Sequence, residues 1–316
     1  MAQNKVQFQA GLSMLEFFEQ CGTHEQCEVR LRTARWPDGF DCPACRSKEH
    51  SEFRRRSRLY FQCRACRHEC SLTSGTIFHS SKLPLRTWFT AMQLITQSKN
   101  NVSALELKRH LGVSWPTAWM IKHKIMEVML DREKGRQLTG RVEIDDAYLG
   151  GEHHGGKPGR GSPNKVSFVA AVQTTESGAP QLMCLSRRPF TKAAITEFAA
   201  KSLAAPATLV SDGLGCFTAV RGMGILHEPH ITGGGPACVK HPSFLAVNTI
   251  LGNLKTAFAG TLHAIGFAKY APRYLAQVQY LFNRRFNLRT ILDRLILAAG
   301  CTQPHPLHRL TAAEHS

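Results

Sequence analysis

Apolar positions along the chain change their period several times, and those changes divide it. Residues 13–20 carry Met14, Leu15, Phe17 and Phe18 at helical spacing, which predicts a short helix within an N-terminal helical segment, 1–35. From Trp36 to Cys70 the period breaks into short extended pieces rich in Cys and Arg, the pattern of a metal-held ribbon, assigned to 36–82. Helical spacing returns with Trp88, Met92, Ile95, Leu105, Leu111, Trp119 and Ile125, interrupted at Asn100–Asn101 and at Gly112–Val113–Ser114, and predicts a helical linker domain over 83–135. The polar stretch DREKGRQLTG marks a boundary. Beyond it RVEIDDAYLGG, KVSFVAAVQTT and QLMCLSRRP read as strands, the third antiparallel to the second across the turn ESGAP. TKAAITEFAAKSLA reads as an amphipathic helix capped by Thr191, ATLVSDG as a further strand, and VNTILGNLKTAFAGTLHAI and RYLAQVQYLFNRRFN as two late helices. The order strand, strand, strand, helix, strand fills a third domain, 140–300, followed by a tail, 301–316. The chain is therefore expected to be a multidomain α+β protein.

Composition sharpens this picture. Apolar residues make up 43% of the 316 positions and charged residues 20%, which excludes a largely disordered chain. Lys and Arg number 40 against 23 Asp and Glu, a formal charge of +17, so a polyanion is the expected partner and nucleic acid comes first. The start lacks a secretory pattern and no apolar run is long enough to span a bilayer, so a cytoplasmic protein with no membrane association is expected. Eleven cysteines, four of them in two CxxC pairs, point to metal binding rather than disulfides.

Those pairs carry the strongest local signal. Cys42 and Cys45 are followed after 17 intervening residues by Cys63 and Cys66, a spacing that brings four thiolates to one tetrahedral Zn²⁺ with no open position, so the expected zinc is structural. Between them FRRRSRLYFQ sets Arg54, Arg55, Arg56 and Arg58 beside Tyr60 and Phe61, either a phosphate-facing surface or a solvated basic hairpin. ALELKRHLGVSWPTAWMIKHKI has the form of a helix-turn-helix carrying Lys122 and Lys124, although any pair of antiparallel helices reads alike. Acidic residues are scarce beyond residue 140, yet Asp145 and Asp212 each end a predicted strand. Two such carboxylates meeting across a sheet are suited to holding hard divalent cations for phosphodiester chemistry.

The linked order of these motifs, with IDDAYLGGE, the basic loop GGKPGRGSPNK, VSDG, VNTILGNLKTAFAGTLHAI and YLFNRRFN, resembles the insertion-sequence 1595 family of bacterial transposases from about Cys42 to Asn287. The resemblance implies a ribonuclease-H-like mixed α/β catalytic domain in which two Mg²⁺ (or Mn²⁺) are held by an acid on the first strand, an acid on the fourth, and Glu, Asn or His on a late helix. Matched here, these are Asp145, Asp212 and Asn248. Asn248 lies seven residues before Lys255, so the two share a helical face, one toward metal and the other toward a phosphate. A neutral Asn adds no charge to the site, and capping the helix is its alternative role. Asp146 is either a ligand or a neighbour of one. Lys157, Arg160 and Lys165 of the basic loop are expected at the DNA backbone, or else in a solvated loop. The implied activity is cleavage at the ends of an insertion sequence, freeing a 3′-hydroxyl that attacks target DNA without a covalent protein–DNA intermediate. At least a dimer is needed to join two ends. Two other readings share the motifs: a zinc-ribbon DNA-binding protein derived from a decayed transposase, and a hydrolytic nuclease of the same fold.

Overall fold

Ser13 and Thr23 each open a helix in the computed structural model, which describes residues 5–150, 165–232, 241–262 and 266–312. Helix α1 (Met14–Cys21) and helix α2 (His24–Arg35) both begin with a full capping box, Ser13 with Glu16 and Thr23 with Gln26, which satisfies the first free N–H groups of each. Three short strands follow, β1 (His50–Arg55), β2 (Arg58–Cys63) and β3 (Glu69–Ser71), paired antiparallel in that order. The β1–β2 hairpin turns on two residues, and Arg56 adopts φ of +55° to close it. Beneath it the rings of Trp36, Phe40 and Phe61 pack within 5.3 Å of one another, an apolar patch too small to hold the segment without a further constraint.

Helices α3 (Leu85–Gln97), α4 (Ala104–Leu111) and α5 (Trp115–Glu133) come next. Ser103 and Glu106 form a capping box on α4, and Gly112, at φ of +64°, ends it in the left-handed conformation that glycine adopts without strain. The helical period read from the sequence and both of its interruptions match these elements.

The second unit, Glu133–Asn283, is built on strands β4 (Leu138–Leu149), β5 (Val166–Thr174) and β6 (Pro180–Arg187), helix α6 (Lys192–Ser202), strands β7 (Leu203–Ser211) and β8 (Ile225–Pro229), and helices α7 (Leu245–Thr261) and α8 (Phe267–Arg284). Its five-stranded sheet has the order β6-β5-β4-β7-β8. β4, β5 and β6 form an antiparallel meander, while β7 and β8 run parallel to β4. On one face Val142, Ile144, Val169 and Leu209 join Ile195 and Phe198 of α6 in a continuous core. On the other face α7 packs over β4 and β5. The apolar runs of these strands follow from burial on both faces. The edge strand β6 is closed by side chains of α8: the Asn283 amide accepts from Met183 N–H and donates to its C=O, and Gln279 accepts from Leu185 N–H. Edge groups that would otherwise template another strand are thereby satisfied.

Helices α9 (Ile291–Cys301) and α10 (Leu307–Thr311) belong, within Arg284–Ala312, to the first unit, which otherwise comprises Met1–Arg132. There α9 packs on α2 and α3, and Ala299 C=O accepts from Ile77 N–H at 3.5 Å. A multidomain α+β architecture is what the order of elements predicts, the ribbon-like Cys cluster is what the CxxC spacing predicts, and the mixed sheet is what the family resemblance implies. No helix among the described residues is long and apolar enough to cross a membrane.

Candidate active site and metal centres

In the first unit the thiols of Cys42, Cys45, Cys63 and Cys66 lie within 4.8 Å of one another, with Cys42 to Cys66 at 3.6 Å and Cys45 to Cys63 at 3.5 Å. Tetrahedral Zn²⁺ with Zn–S bonds near 2.3 Å requires sulfurs roughly 3.8 Å apart, so the donor set fits the ion and leaves no fifth position. Backbone N–H groups of Cys66 and Ala65 aim at the Cys63 sulfur and pull its thiol down to about 6, toward the thiolate that a metal needs. Each knuckle carries an arginine with positive φ, Arg46 at +64° and Arg67 at +61°, which turns the chain back under its sulfurs. Cys70, a rival ligand by proximity in sequence, is buried outside this cluster.

The hairpin arginines differ from one another. Arg54 pairs with the buried Glu28 at 2.5 Å, Arg55 pairs with Glu69 at 2.8 Å and lies over the rings of Phe53 and Tyr60, and Arg58 donates to Ser81 C=O. Arg56, at the exposed tip, is held by the turn alone in its backbone conformation.

Lys122 and Lys124 depart from the expectation that they read DNA. Both are buried, Lys122 at 1% exposure, because this face of α5 points into the core of the first unit. The Lys122 amine donates to Val102 C=O at 2.6 Å, and burial pushes it down to about 7. Lys124 reaches Ile77 C=O and the Trp88 ring, and burial lowers it too.

In the second unit β4 and β7 are parallel neighbours whose register pairs Glu143 with Val210. Two residues further along the chain are Asp145, still within β4, and Asp212, one residue past the end of β7, so the register itself brings the two acids side by side. Together with Asp146 their carboxylates lie within 4.8 Å of one another, half-buried. Asp145 also accepts from Asp146 N–H at 2.8 Å and Asp212 from Leu214 N–H at 3.0 Å, which orients both carboxylates. Three carboxylates so close repel one another unless a cation sits among them, and hard oxygen donors are those that Mg²⁺ or Mn²⁺ takes.

Asn248 lies in the first turn of α7, on the helix that covers β4, and Lys255 is exposed further along the same helix. The cap of α7 is Phe244, not Asn248, and no side chain of the cap bonds the helix. That task falls to Glu143, whose Oε2 accepts from Ala246 N–H at 2.9 Å and Val247 N–H at 3.0 Å. Glu143 is 2% exposed, and burial raises its carboxyl against the pull of these donors and of Arg141. Sequence reasoning passed over Glu143, although a buried acid two residues before a site acid shares its face of the strand. Lys165 is half-buried just before β5, while Lys157 and Arg160 lie outside the described residues.

Comparison with known proteins agrees with this geometry. Residues 137–283 match the family described as the ISXO2-like transposase domain, and residues 22–69 match the Transposase zinc-ribbon domain. A protein of Halobacterium salinarum, named as an uncharacterized protein in transposable element ISH50, is 33% identical over 122 residues, 38% of this chain and 40% of that protein. The chain thus matches less than half the length of that curated relative. No solved structure matches.

Proposed function

We propose, for a chain that belongs to the insertion-sequence 1595 family of transposases, that it binds the ends of its element and catalyses divalent-metal-dependent strand cleavage and strand transfer. The observation that carries this reading is the approach of Asp145 and Asp212 from parallel neighbouring strands in a chain with a charge of +17. Asp145, Asp212 and Asn248 hold the catalytic cations, with Asp146 close enough to add the charge that Asn248 lacks. Divalent cations bound there supply Lewis-acid activation of a water or 3′-hydroxyl and stabilise the leaving oxygen. Lys255, nearly two helical turns from Asn248, meets a phosphate of the bound strand. The sheet order, a three-strand meander extended by two parallel strands, supports the ribonuclease-H-like reading of the catalytic domain.

The four-thiolate site is structural, since it is closed to substrate, and it shapes the ribbon that recognises DNA together with the helical segment. Arg56 and its neighbours, and Lys157, Arg160 and Lys165, contact the DNA backbone. The protein works on DNA in the cytoplasm as at least a dimer, because joining two ends requires both in one complex. The division into an N-terminal helical segment, a ribbon, a helical linker and a catalytic domain remains part of this proposal.

The test is a strand-transfer assay with purified protein, Mn²⁺ or Mg²⁺ and DNA carrying the element's ends. Joined product from wild type, lost in Asp145→Ala, Asp212→Ala and Asn248→Ala, supports the reading. Cleaved but never joined DNA would favour the hydrolytic nuclease. A second reading, a DNA-binding protein without catalysis, is favoured by the neutral Asn248 at the third position, and intact DNA binding with no cleavage in wild type would establish it.

A further inference from the structure

The two faces of β4 do different work. Val142 and Ile144 point to the apolar core shared with α6, while Glu143 and Asp145 alternate onto the other face, where α7 packs. A carboxylate at 2% exposure is costly to bury, and here it is kept for a specific pair of bonds: both N–H groups it accepts from belong to the first turn of α7, two residues and one residue before Asn248. Phe244, the cap residue, offers no side-chain oxygen, so the helix has no local cap. The nearby Arg141 guanidinium stands 3.9 Å from Glu143 and donates to Ser243 C=O at 3.3 Å, which ties the segment entering α7 to the same strand. Capping this helix from the strand fixes its start against β4, two residues from Asp145. A cap supplied by the loop would satisfy the same N–H groups and leave that distance free.

We propose that Glu143 is a positioning residue of the active site: by capping α7 from β4 it holds Asn248 in register with Asp145 and Asp212, and so sets the affinity of the site for its cation. The inference rests on the reading of those three residues as ligands. It makes reach and acceptor geometry decisive, and charge secondary. Gln at this position keeps both the length and a carbonyl oxygen for the two N–H groups, whereas Asp keeps the charge but falls one methylene short.

The experiment is a titration of the zinc-loaded full chain with Mn²⁺ alone, followed by electron paramagnetic resonance or calorimetry, with folding monitored in parallel. Glu143→Ala and Glu143→Asp are expected to bind Mn²⁺ roughly 10- to 100-fold more weakly, the usual range when a group that orients a ligand is lost, while Glu143→Gln stays close to wild type. In an Asn248→Ala background Glu143→Ala adds little, because both changes remove the same contact. Wild-type affinity in all three variants, recovery by Asp rather than Gln, or full additivity with Asn248→Ala would each overturn the proposal. Loss of the folded domain in both Ala and Asp variants would overturn it in favour of a purely structural role. If wild type and Asn248→Ala bind Mn²⁺ alike, it is the assignment of Asn248 as a ligand that fails. That result is read from a different pair of proteins.

Discussion

Lys122→Met removes a buried amine, and linkage fixes how its effect on stability must vary with pH. In the folded protein the amine titrates near 7, and in the unfolded chain near the ordinary lysine value of about 10.4. Between those two values the unfolded state binds the extra proton, so wild-type stability rises with pH relative to a variant lacking the group. The slope is about 1.4 kcal/mol per pH unit. Below pH 7 both states are protonated and the full penalty for burying the charge is present, on the order of 5 kcal/mol. Methionine fills a similar volume without that penalty but leaves Val102 C=O without the 2.6 Å donor, a loss of roughly 1–3 kcal/mol. The variant is therefore expected to be more stable than wild type by several kcal/mol at pH 6, and to lose that advantage by pH 9.5. Urea unfolding of both proteins at half-unit pH steps measures the difference directly, since zinc ligands and every other titrating group are common to the two. A difference in stability that does not change between pH 7 and 9.5 would refute the argument, and so would a variant that is less stable at pH 6.

Further outcomes follow from other contacts. Arg54→Ala removes one of two basic partners of the buried Glu28, leaving His24 at 3.3 Å, and because Arg54 is itself half-exposed the change should lower stability by about 1 kcal/mol in urea unfolding, whereas Arg56→Ala should leave stability unchanged. If the hairpin tip meets DNA, the same Arg56→Ala change reduces the slope of log binding constant against log salt by about 1. Metal analysis is expected to give one zinc per chain, lost in Cys45→Ser together with the protease resistance of the segment, because the aromatic patch there cannot replace a site that contributes on the order of 10 kcal/mol. Asn283→Leu leaves the buried N–H and C=O of Met183 without the amide that pairs them and should cost about 2–4 kcal/mol by thermal or urea unfolding.

Much of this could be read from the chain because it is locally determined. The Thr191 cap of α6 and the CxxC spacing are signals that occupy a few residues each, and the strands β4 to β6 announce themselves by apolar runs separated by turn residues. The orientation of α5 was not legible. Its sequence WPTAWMIKHKIMEVML alternates charge and apolar residues so closely that no polar face is defined, and only packing decides that Lys122 and Lys124 turn inward. Strand β8, short and with Leu226 exposed, carries too little apolar pattern to stand out. The membership of α9 in the first unit is a non-local fact. It rests on contacts with α2 and α3 that are made some 200 to 270 residues away in sequence.

The same distinction explains which parts of the candidate site were found. Asp212 declares itself as a strand-end acid, whereas Asp145, expected at a strand end, lies within β4 four residues before it stops; once β4 and β7 are parallel neighbours, the pairing of Glu143 with Val210 leaves the two acids nowhere to be but beside each other. Asp146 follows Asp145 on the chain but should point away from it by strand alternation, yet its carboxylate joins the cluster, at a point where β4 is still paired with β5 but its pairing with β7 has ended at Glu143. Glu143 is the instructive omission. An acid in a strand reads as one more charge near a site, and its use is visible only when the start of α7, about 100 residues later, is seen to lack a cap of its own. A helix that brings a ligand to a sheet must be fixed both along its axis and in rotation. Packing of Val247, Ile250 and Leu254 sets the rotation, but an apolar face slides, and it takes a directional bond at the first turn to set the axial position. Buried polar groups beside a site are thus the places to look for what holds it in register.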